Sequence, residues 1–78
     1  MIERAVSLTI EREPQLVRDA AARRPKAWGA LAAKGVLAFR ELAGRSPTEA
    51  ERRAIWSALW RATEEASADG FTGGANPS

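Results

Sequence analysis

The sequence predicts an all-α domain, a small bundle of three to four helices built on one antiparallel helical hairpin. Two observations carry that prediction. Two long stretches with apolar residues at helical spacing flank the short segment "GRSPTE", and prolines at 14, 25 and 47 divide the chain into helix-sized pieces. Proline is tolerated in the first turn of a helix but disfavours helix in the residue before it, so each marks a boundary.

The first quarter has two readings. In "AVSLTIE", Val6, Leu8 and Ile10 alternate with Ser7, Thr9 and Glu11, the period of a strand. Ile2, Val6 and Ile10 also recur every fourth residue, the spacing of a helix. A lone strand beside helices leaves backbone groups unpaired. It would therefore have to be swapped between two chains, and a helix is favoured. Pro14 then opens a short helix, "PQLVRDAAARR", with Glu13 at its cap, and Pro25 closes it.

The third helix is expected over residues 26–43, with Leu31, Gly35, Leu42, Trp28 and Phe39 on one face. Gly44 follows where a left-handed residue ends a helix. Ser46 is the expected cap of the fourth helix, 47–66, with Pro47 in its first position and Glu49 completing a Ser-x-x-Glu capping box. A connector of two or three residues forces the two helices back to back. On the fourth helix Ile55, Leu59, Ala62 and Ala66 form the core stripe, with Trp56 and Trp60 on its shoulder. Gly35 costs about 1 kcal/mol relative to alanine in a helix. The expected compensation is a tryptophan ring resting against it. Residues 1–67 are read as one domain and the Gly-, Asn- and Pro-bearing 68–78 as a mobile tail.

Composition narrows the function. The chain has 78 residues, 45% hydrophobic and 28% charged, with net charge +2. That is a globular balance near the lower size limit for an independent core. Histidine, cysteine and tyrosine are absent, which removes the usual general base, the thiol nucleophile and the preferred zinc ligands. The acids read as solvated helix surface, Glu49 with Arg53 at i,i+4 among them. The expectation is a non-catalytic protein with no metal and no cofactor. No apolar run reaches the ~20 residues of a membrane span, and no secretory pattern opens the chain, so a cytoplasmic location is expected.

Charge is unevenly spread. Residues 18–45 carry seven Lys or Arg against two acids, whereas 46–78 carry three Arg against five acids. The cluster "RRPK" beside Trp28 could grip phosphate. Arg18, Arg23, Arg24, Lys26 and Arg45 are thus the candidate nucleic-acid contacts. The ordinary alternative is an arginine-bearing helix end that favours the helix dipole.

If Ala5–Glu11 is a strand, it and the capped turn "GRSPTEAERRA" look somewhat like ribbon-helix-helix DNA-binding proteins, over about half the chain. That family has one helix between strand and capped turn, whereas Pro14–Arg24 would add another here. The resemblance implies a swapped strand pair in the major groove, with Ser7, Thr9, Glu11 or Arg4 facing bases.

Three tryptophans remain. Tryptophan is mostly buried but rarely completely, so Trp28 and Trp56 are expected to face the core and Trp60 to face outward. Leu37 projects away from the core stripe. A chain this small commonly needs extra support, and without cysteine that support is self-association. The leading expectation is therefore a protein–protein interaction module that forms a homodimer, with Leu37, Arg53, Trp56 and Trp60 at or beside the interface.

Overall fold

The computed structural model of the chain describes the backbone of residues 1–75 and the side chains of residues 1–66. It contains four helices: α1 (Ile2–Arg12), α2 (Pro14–Ala21), α3 (Ala27–Ala43) and α4 (Glu49–Ala75). The all-α prediction holds. α1 and α2 each pack against both α3 and α4, so they form a second layer across the hairpin. α4 spans 27 residues, about 40 Å at 1.5 Å per residue, and sets the long dimension of the 47 × 22 × 20 Å molecule.

The N-terminal segment is a helix, the reading the sequence favours, and the alternative strand is not formed. Ala5, Val6 and Thr9 are buried in α1, an i, i+1, i+4 set that an alternating strand would put on opposite faces. The Thr9 hydroxyl donates to the Ala5 carbonyl at 2.8 Å, so it is buried without an unmade hydrogen bond. The ribbon-helix-helix likeness falls with the strand. Arg4, Ser7 and Glu11 lie in a shallow surface groove with Leu8 and Leu42, and Thr9 faces the core.

Pro14 begins α2 as expected, after a single intervening residue. α2 stops at Ala21, earlier than Arg24. Arg23 is left-handed at φ 61°, its N–H reaches the Ala20 carbonyl and the Arg24 N–H reaches that of Asp19. This is a Schellman ending with arginine where glycine is usual. Lys26, at φ 69°, then turns the chain into α3.

Phe39, Leu31, Ile55 and Leu59 are fully buried, and Ala5, Val6, Val17 and Ala38 complete the cluster. All four helices contribute, so there is one core. α3 meets α4 closely at Gly35. A Cβ there would sit 2.8 Å from Leu59 Cδ1 and 2.9 Å from Ile55 Cγ2. The missing side chain does gain something, but the occupant is the Ile55–Leu59 ridge and not a tryptophan ring.

Gly44 is left-handed as predicted, at φ 73°. The cap of α4 is shifted from the predicted one. Thr48, and not Ser46, receives the Glu51 N–H at 3.1 Å, while the Thr48 N–H donates to Glu51 Oε1 at 2.8 Å. The capping box is therefore Thr48-x-x-Glu51, Pro47 is a buried residue of the connector, and that connector covers residues 44–48. Arg45 fixes this choice. It donates to both Glu51 oxygens at 2.8 and 2.9 Å and lies 5.2 Å from the Phe39 ring centroid. The pairing with Arg45, followed by the Thr48 N–H, holds the Glu51 carboxyl down at about 2.

α4 continues to Ala75, past the predicted end near Ala66. Each residue added to a formed helix gains a hydrogen bond, which favours continuation through a weak sequence. The remainder of the expected tail, 76–78, lies outside the described residues.

Candidate interaction face

The indoles of Trp28, Trp56 and Trp60 line one open hollow together with Ser57 and Arg61. These are all the tryptophans of the chain. The site follows from local helical geometry. Residues 56 and 60 are one turn apart on α4, about 40° in projection, so both project to the same side. α3 runs back along α4, which brings Trp28, well before the turn, level with Trp60, well after it. The two rings meet edge to face, with centroids 5.5 Å apart and planes at 89°, an arrangement favoured by the ring quadrupoles.

Trp28 is half-buried, whereas Trp56 and Trp60 are 36% and 44% exposed. Trp60 faces outward as predicted. Trp56 does not fill the core, which corrects the expectation. Projection on an isolated helix locates the centre of the stripe but not how far the second layer reaches around it. α1 and α2 cover the side of Ile55 and Leu59 and leave the shoulder open.

The hollow carries charge at its rim. The Arg52 guanidinium lies 5.8 Å from the Trp56 ring centroid, within cation–π range. Arg53 is exposed on the same stripe and pairs with Glu49 at 3.1 Å. Such a pair contributes only a few tenths of a kcal/mol on a helix surface, and the remaining guanidinium donors of Arg53 stay open to solvent.

The four residues nominated as an interface are only partly brought together. Arg53, Trp56 and Trp60 share one stripe of α4. Leu37 is 46% exposed but lies about half a helical turn around α3 from Trp28. There it lines depressions with Arg12, Glu13 and Lys34 on one side and with Arg40 and Arg45 on the other. Trp28, Ser57 and Arg61 line the hollow as well, beyond the residues the sequence pattern points to. Antiparallel register was the signal that could have placed Trp28 beside Trp60.

The basic candidates are likewise dispersed. Arg23, Arg24 and Lys26 occupy the α2–α3 connector, and Arg24 Nε pairs with Asp19 at 3.4 Å. Arg18 donates to Gln15 at 3.4 Å. Arg45 follows the opposite end of α3, about 26 Å away along the helix axis, and both of its terminal nitrogens are occupied by Glu51. Among the described residues, no helix is long and apolar enough to cross a membrane. No protein family, curated protein or solved structure matches this chain.

Proposed function

We propose that this chain is a non-catalytic protein–protein interaction module that self-associates through the tryptophan face. The observation that supports it is the placement of Trp56 and Trp60, each more than a third exposed, around one hollow with Trp28. Large aromatic side chains gain most from leaving water, and tryptophan and arginine are the types enriched where binding energy concentrates. Trp28 packs against the core, but Trp56 and Trp60 do not belong to it, and Phe39, Leu31, Ile55 and Leu59 are buried without them. A nucleic-acid role has less support, because Arg24 and Arg45 are engaged by acids of the same chain.

Every tryptophan lines the hollow, so indole emission reports this face, with Trp28 also sensing its packing on the core. On dilution through the dissociation range, the emission of the wild-type chain shifts to the red as the rings enter water. Trp60→Ala abolishes the concentration dependence while the far-ultraviolet helical signal stays. Emission of the wild-type chain that does not change with concentration contradicts the proposal.

A further inference from the structure

The outward stripe of α4 has a polarity. Arg53 stands before the tryptophans and Glu64 after them. Arg53, Trp60 and Glu64 fall within about 40° of one another in helical projection, so all three belong to the surface that presents the indoles. Glu64 and Glu65 are exposed and form no ion pair among the described residues. Arg52 and Arg53 outnumber Glu49 before the tryptophans, and Glu64 and Glu65 outnumber Arg61 after them, so a stripe that is net basic at one end, aromatic in the middle and net acidic at the other matches its own reverse. Opposite charges brought together across an interface fix register, and like charges in the alternative register oppose it.

We infer that a second copy of this chain covers the face, with α4 lying antiparallel on α4 across a two-fold axis level with the midpoint of Trp56 and Trp60. Trp56 of each copy then lies opposite Trp60 of the other, and Arg53 of each meets Glu64 of the other. A closed two-fold contact of this kind uses one patch twice, so every favourable pair occurs twice. Parallel packing sets Arg53 against Arg53 and Glu64 against Glu64. The inference rests on the self-association proposed above and adds its partner, orientation and register.

The chain has no native cysteine, so one introduced thiol labels one position. Ala50 is exposed, near the start of α4 and to the side of the tryptophan stripe. In the full chain, a nitroxide at Ala50→Cys measures the separation between copies. Antiparallel docking gives about 25 Å or more, from sixteen residues of axial offset, and parallel docking about 10–15 Å. In the same assay format, Arg53→Glu and Glu64→Arg each weaken association about fivefold or more, and the double variant restores it.

A long separation with rescue by the double variant supports the inference. A short separation, or a double variant no better than the singles, overturns the orientation or the pairing while self-association stands. A chain that remains monomeric at all concentrations overturns both.

Discussion

The seam between α3 and α4 and the tryptophan face lie on the same two helices, yet one is sealed and the other open. At the seam, Gly35 lets the backbone of α3 settle onto Ile55 and Leu59, and all three are buried. At the face, two of the largest side chains of the chain stand on the shoulder of α4 with more than a third of their surface in water. Apolar content therefore does not decide burial here. What decides it is where the second layer falls: α1 and α2 press on the flank bearing Ile55, Leu59 and Thr63 and stop short of Trp56 and Trp60.

Unfolding by urea of a substitution series separates the two regions. Leu59→Ala leaves a cavity in the core and costs about 3–5 kcal/mol. Gly35→Leu comes next, at about 1–3 kcal/mol or more, because its first added carbon already overlaps Leu59 and Ile55. Trp56→Ala, measured below the association range, costs about 1–2 kcal/mol, less than truncation of a fully enclosed ring. Gly29→Leu is neutral or slightly stabilising: nothing lies within 4 Å of its Cβ position and a helix favours leucine over glycine. Equal losses at Gly35 and Gly29 would remove the close approach of Leu59 and Ile55 as the cause of the Gly35 loss.

The smallest effect concerns the capped turn that holds α3 and α4 in place. The Glu51 carboxyl is lowered in the folded chain from an ordinary value of about 4.5 to about 2. Its contribution to stability is thus present above about 4.5 and is lost as pH falls from there through about 2. Observed by side-chain carbon chemical shift, its midpoint rises when Arg45 becomes alanine. It stays below the ordinary value as long as the Thr48 N–H still donates to it. A Glu51 midpoint unchanged by Arg45→Ala would remove Arg45 as the residue that selects the cap.

The hairpin was legible in the sequence because Gly44 and the proline–acid pattern after it allow few local alternatives. The position of the cap was not, since Ser46-x-x-Glu49 and Thr48-x-x-Glu51 are overlapping boxes and a side chain outside both, Arg45, decides between them. Gly35 was recognisable as a clearance, but its neighbour was misassigned because isolated projections do not give the axial register of two helices. The same blindness hid the Trp28–Trp60 contact and placed Trp56 inward. In α1 two periodicities coexisted in "AVSLTIE", and Ala5 and Thr9, both small, gave no hint that they belong to the buried face.

We propose that another molecule of the same chain covers the open shoulder of α4. Sedimentation equilibrium over a wide concentration range tests it most directly. Pairing through this face gives a mass rising from the 8.4 kDa of one chain to twice that value, with Trp60→Ala fixed at the lower one and still helical. A wild-type chain that stays at 8.4 kDa throughout, or a Trp60→Ala variant that dimerises as tightly as the wild type, would contradict it.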